Sequence, residues 1–188
     1  MTGEQALTGG FDDPARDAAV AFRALLGAMP RPGTIETCDA ATAPSPMSQA
    51  GATALAALCD PDTPVFLAGP LDTPDIRNWL AFHTGAPLTG PERCRFAIGP
   101  WQALLPLHRY PQGSPEYPDR SATLIIEMAQ IAPTGARLTG PGIADAAALS
   151  LPEVAAFQTN AMAFPCGLDF FLTAGDRIAA LPRTTKVE

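Results

Sequence analysis

Cations are scarce in this sequence, and lysine most of all: its 188 residues hold 12 lysines and arginines against 19 acids, and Lys186 is the single lysine. The net charge of −7 argues against a nucleic-acid surface, which needs clustered Lys and Arg to meet phosphates, and equally against an anionic membrane surface. A lone lysine two residues from the C-terminal end is badly placed for the Schiff base of pyridoxal phosphate catalysis. Long apolar runs are missing as well. None reaches the ~18 residues of a membrane span, and the polar start Met1-Thr2-Gly3-Glu4-Gln5 lacks the basic and apolar regions of a signal peptide. The expected location is the cytoplasm.

Paired metal ligands and catalytic signatures are also wanting. Cys38, Cys59, Cys94 and Cys166 never form a C-x-x-C pair, so neither a zinc site nor a redox motif is written locally. They read as small buried hydrophobes, with Cys166, between Pro165 and Gly167, the one to check for reactivity. His83 and His108 have no H-E-x-x-H spacing, and no metal is expected. Thr139-Gly140-Pro141-Gly142-Ile143 follows a strand as a phosphate loop would, but Pro141 removes an N–H and neither G-x-G-x-x-G nor a Walker motif is present, so it reads as a turn. No G-x-S-x-G elbow supports a hydrolase triad.

What is present is apolar material. With 47% hydrophobic and 16% charged residues the chain folds as a globular domain, and its length suits one core. The 16 glycines and 21 prolines predict many turns and short elements. Residues 1–10 read as a flexible N-terminal arm and residues 11–188 as one domain. Asp13 and Pro14 open a helix whose apolar stripe is Ala15, Ala18, Ala19, Phe22, Leu25, Leu26 and Met29. Ser48 caps a second helix, and Thr73-Pro74 opens a third that carries Ile76, Trp79, Leu80 and His83 and ends at Gly85. A fourth is expected over 152–162. Strands are expected over 34–38, 65–68, 95–98, 122–131 and 136–139, with a closing hairpin of 168–173 and 177–181 around Gly175-Asp176. Residues 104–110 fit either type, and the proline-rich 111–118 reads as a loop that is mobile or lies on a partner. The sum is an α/β fold: a single domain with a mixed β-sheet flanked by helices.

Four residues stand out as a ligand set. Arg183, beside the hydroxyls of Thr184 and Thr185 at a strand end, has the fork geometry that holds a phosphate or carboxylate. Asp169, in Phe164-Pro165-Cys166-Gly167-Leu168-Asp169, orients a ligand hydroxyl or a partner, or satisfies loop N–H groups. His83 sits at a helix C-terminus, where the macrodipole favours an imidazolium and the ring can cap the last carbonyls.

The segments Phe82-His83-Thr84-Gly85-Ala86-Pro87-Leu88, Leu138-Thr139-Gly140-Pro141-Gly142-Ile143, Phe164-Pro165-Cys166-Gly167-Leu168-Asp169 and Pro182-Arg183-Thr184-Thr185 together resemble the PhnH family, a subunit of the bacterial carbon-phosphorus lyase core complex. The opening helix with Phe22-Arg23-Ala24-Leu25-Leu26, followed by Met29-Pro30-Arg31-Pro32-Gly33, fits too. The resemblance implies a fold like that of pyridoxal phosphate-dependent transferases without the cofactor, and no cofactor is expected. It implies a homodimer in isolation and assembly with the G, I and J subunits. With them the family supports transfer of a phosphonate onto the ribose of ATP, with release of adenine. No catalytic residue carries over. Three readings follow: an architectural subunit without turnover of its own; a pocket for nucleotide or phosphonate at a dimer or subunit junction, edged by Arg183, Thr184, His83 and Asp169; and a standalone small-molecule sensor.

Overall fold

The computed structural model describes residues 8–188. Its central sheet has six strands in the order β2 (Ile35–Thr37), β10 (Arg177–Leu181), β9 (Asp169–Ala174), β6 (Thr123–Glu127), β5 (Phe96–Pro100) and β4 (Val65–Leu67). The four strands from β4 to β9 run parallel, and β10 is antiparallel to both of its neighbours. This is the mixed α/β sheet expected from the sequence. Runs such as Leu124-Ile125-Ile126 and Phe170-Phe171-Leu172 form strands buried on both faces. Ile125, Ile98 and Phe171 point into one layer, while Leu124, Ile126, Phe170 and Leu172 point into the other.

The first layer is helical: α1 (Pro14–Ala28), α2 (Gln49–Leu58) and α3 (Pro74–Thr84). Each starts where the sequence predicts, because the side chains of Asp13, Ser48 and Thr73 accept from the N–H groups of Arg16, Gly51 and Ile76. Gly85, at φ 69°, ends α3 in a left-handed conformation. The orientation of α1 differs from expectation. Its buried line is Ala21, Leu25 and Ala28, whose two alanines let the helix lie close against α2, and much of the longer stripe turns outward. Of that stripe, Phe22 and Leu26 are 46% and 56% exposed, and Val20, outside it, is 50% exposed.

The second layer holds α4 (Trp101–Leu104), α5 (Val154–Met162) and a small antiparallel sheet in the order β11 (Lys186–Val187), β7 (Ala136–Thr139) and β8 (Ala147–Leu149). Trp101 stacks on Phe157 at 5.1 Å between ring centroids, and Phe157 meets Phe170 edge-on at 4.9 Å, which ties α4 and α5 to the sheet.

Strand β6 stops at Glu127 rather than running to 131. Its last ladder partners are Pro100, where β5 ends, and Thr173, one residue before the end of β9. The ambiguous 104–110 stretch is a short turn of 3₁₀ helix, Leu107–Arg109, between Pro106 and Pro111. The 111–118 loop is tied into the chain: Gln112 donates to the carbonyls of Leu107 and Tyr110, and Gly167 N–H donates to the Gln112 carbonyl at 2.9 Å. Of the expected arm, residues 1–7 lie outside the described residues, and Gly10 belongs to β1 (Gly10–Phe11), which pairs with β3 (Ala41–Thr42).

Candidate functional site

Arg183 and Asp169 come together where β9 begins and β10 has ended. The Arg183 backbone N–H and Nε donate to Asp169 Oδ1 at 2.9 and 3.1 Å, and one terminal nitrogen reaches Oδ2 at 2.5 Å. That same nitrogen donates to the Ser121 hydroxyl, while the other reaches the Pro118 carbonyl at 2.8 Å and the Pro165 carbonyl at 3.5 Å. The guanidinium has five N–H groups, and all five are engaged. The fork holds a carboxylate as the sequence suggests, and the carboxylate is the chain's own. With side chains only 11% and 25% exposed, the pair pins the 118–121 segment, the turn at Pro165 and the tail to the edge of the sheet.

The two hydroxyls after Arg183 part company. Thr185 is buried, whereas Thr184 is exposed and borders three shallow hollows. One, of about 610 Å³, lies between Leu26, Met29, Pro30, Pro141 and Thr184. A second, of about 370 Å³, runs from Pro141 and Thr184 to Ala161 and Phe164. A third, also about 370 Å³, lies beside Pro118, Asp169 and Arg183. Together with Met162 they form one apolar band from α1 across the tail to α5, in which Leu26, Phe164 and Met162 are 56%, 59% and 78% exposed. Gly142 keeps the band closed over α1: a Cβ there would stand 1.7 Å from the Pro30 carbonyl oxygen. The Gly-Pro-Gly stretch is thus a close-packed turn, with Ile143 N–H returning to the Gly140 carbonyl.

His83 is elsewhere. It lies in the last turn of α3, with its ring 5.1 Å from Trp79 and 4.9 Å from Phe82, and packs under β1 so tightly that a Cβ on Gly10 would come within 2.3 Å of Nδ1. Burial lowers its pKa from the ordinary imidazole value, and a hydrogen bond with the Thr8 backbone acts the other way. Burial thus works against the charged ring that a helix C-terminus favours. Thr84 caps the helix: its hydroxyl donates to the Leu80 carbonyl and accepts from Ala86 N–H. Nε2 of His83 and Nε1 of Trp79 are buried and have no partner among the described residues.

One group escaped the sequence reading. Glu127 ends β6 beneath the start of α2, accepting from Ser48 N–H at 3.1 Å and from the Ser48 hydroxyl at 3.0 Å. Burial raises its pKa, opposed by the hydrogen bonds from Ser48 and Thr173. Its signal was a lone acid closing an apolar strand run. Burial also pushes the thiols of Cys38, Cys59 and Cys94 up to about 12, well above reactive values. Cys166 is half-buried. Among the described residues no three His, Cys, Asp or Glu side chains gather as metal ligands, and no helix is long and apolar enough to cross a membrane.

Fold and site define a mixed-sheet α/β protein with an internally satisfied arginine clamp beneath an apolar rim. A family model described as "Bacterial phosphonate metabolism protein (PhnH)" matches residues 9–188. A protein of Rhizobium meliloti (strain 1021), alpha-D-ribose 1-methylphosphonate 5-triphosphate synthase subunit PhnH, is 38% identical over 194 residues, covering 98% of this chain and 96% of that protein. The chain belongs to the PhnH family of bacterial phosphonate metabolism.

Proposed function

We propose that this chain is the PhnH subunit of a cytoplasmic synthase that transfers a phosphonate to the ribose of ATP and releases adenine, and that its part is architectural. The observation that carries the reading is the Arg183 clamp: the one arginine set in the band spends its N–H groups on Asp169, Ser121 and backbone carbonyls, leaving none for a polyanionic substrate. The only lysine, Lys186, is exposed on β11, at the edge of the small sheet. Around the clamp the surface is apolar, as suits packing against other chains. The partners proposed are a second copy when the chain is isolated and the G, I and J subunits in the complex. The likeness to the pyridoxal phosphate-dependent transferase fold belongs to the same proposal and rests on the family resemblance alone.

The test is an assay of adenine release from ATP and methylphosphonate. The reading expects no turnover by the chain alone, and turnover with the other subunits that drops when this one is left out. Turnover by the isolated chain overturns it. The hollow of about 370 Å³ beside Asp169 and Arg183 favours a second reading, in which a ligand sits at a junction with another chain. In that reading Arg183→Ala slows synthesis in complexes that still assemble; unchanged assembly and rate dismiss it.

A further inference from the structure

Resting on the architectural reading, we propose that the outward stripe of α1 and the band that continues it receive a helix from another kind of chain, one whose apolar seam is flanked by carboxylates. Ala15, Ala19, Phe22 and Leu26 follow one another at steps of four, three and four residues, and all four are exposed. That is the a/d spacing of a helix packed against a helix, knob into hole; a strand partner would ask for period two. Beyond Leu26 the seam runs on into the hollow of about 610 Å³ bordered by Met29, Pro30 and Pro141.

Charge selects the partner. Arg16 and Arg23 stand seven residues apart along one flank of the seam, both exposed, and Lys186 is exposed at the far end of the band. None of the three has an ion-pair partner among the described residues. The nearby acids Asp12, Asp13 and Asp17 gather at the first turn, where Asp13 caps the helix and Asp17 accepts from Asp13 N–H. Asp119 lies at the other side of the band, next to Arg120. Asp12, Asp13 and Asp17 outnumber Arg16 at the first turn, but beyond Asp17 the one charged residue of α1 is Arg23, so the flank beside Phe22 and Leu26 is cationic on a chain of net charge −7. A second copy fits this seam poorly. Antiparallel α1 helices would set Arg16 of one copy against Arg23 of the other, like charge against like, and a second copy on this seam is the alternative that sedimentation separates.

The test titrates the full chain against two labelled three-heptad peptides with leucine at a and d, one with glutamate and one with lysine at e and g. The glutamate peptide is expected to bind at least about tenfold more tightly at low salt, with the advantage shrinking as salt is added. Leu26→Glu and Phe22→Glu should abolish that binding, and Leu88→Glu, on another exposed surface, should keep it. If the seam variants fold poorly by circular dichroism, Arg23→Glu decides, since it should reverse the preference between the peptides. Equal affinities, tighter binding of the lysine peptide or binding of neither overturns the proposal. So does sedimentation in which a wild-type dimer becomes monomeric with Leu26→Glu, because a second copy then occupies the seam. Adenine release by the chain alone would sink the architectural reading and leave the peptide result standing.

Discussion

Arg183 and His83 were read from the sequence as edges of one pocket, and they occupy opposite kinds of ground. Arg183 lies among acceptors that match its donors one for one, next to a surface of exposed apolar side chains. His83 lies among Trp79, Phe82 and Gly10, with Nε2 unpaired among the described residues and its charged form disfavoured by burial. The first region spends its polar groups on holding segments together and offers apolar area outward. The second seals polar atoms inward. A charged residue type in a promising motif thus says little about ligands until its partners are counted.

The sharpest way to break the comparison is Arg183→Ala. It strands the Asp169 carboxylate at a quarter exposure and frees the 118–121 segment, so the loss should be about 3 kcal/mol, as for other largely buried pairs cut on one side. For a chain of this length that lowers Tm by roughly 6–12 °C, measured by thermal unfolding. A fall under about 1 °C would show that the clamp holds nothing.

Glu127→Ala comes next. Removing the acceptor for Ser48 N–H and hydroxyl should cost about 1–2 kcal/mol by denaturant titration. Glu127→Gln keeps an acceptor there and isolates the charge. Because the folded state holds the Glu127 proton more tightly than the unfolded chain, its share of stability is present in acid and is lost as pH rises above about 4.3 through the raised folded value. Glu127→Gln should flatten that part of the Tm–pH curve.

The His83 region should respond with the opposite sign. Its lowered pKa means the unfolded chain binds the proton better, so stability falls as pH drops below about 6.5 toward the folded value. Substituting His83→Gln removes that acid-side loss, and an unchanged curve would contradict the burial of the ring. The smallest stability effect belongs to the band: Leu26→Glu, on a side chain already 56% exposed, should change folding stability by no more than about 0.5 kcal/mol while weakening assembly.

Much of this was legible in the sequence, and the rest was hidden for physical reasons. Caps and breakers act within a turn of their helix, so Asp13-Pro14, Ser48, Thr73-Pro74 and Gly85 gave away the helix ends. The two-residue strands β1, β3 and β11 carry no period of their own and exist only through distant partners, such as Lys186 against Thr139. Arg183 and Asp169 each stood out, but their pairing depends on how the tail folds back over β9. The stripe on α1 was visible as a period; period alone does not say whether the chain's own core or another chain covers it. Family membership was legible because the ordered set of short motifs spans nearly the whole sequence.

Amide hydrogen exchange on the chain alone and in the complex with its partner subunits tests whether the α1 stripe and the tail form the assembly face. Assembly should slow exchange over residues 22–30, 161–167 and 182–187, and leave 8–10, 42–45 and 79–85 unchanged. Protection confined to the His83 side, with the α1 stripe and the tail still exchanging freely, would contradict that placement.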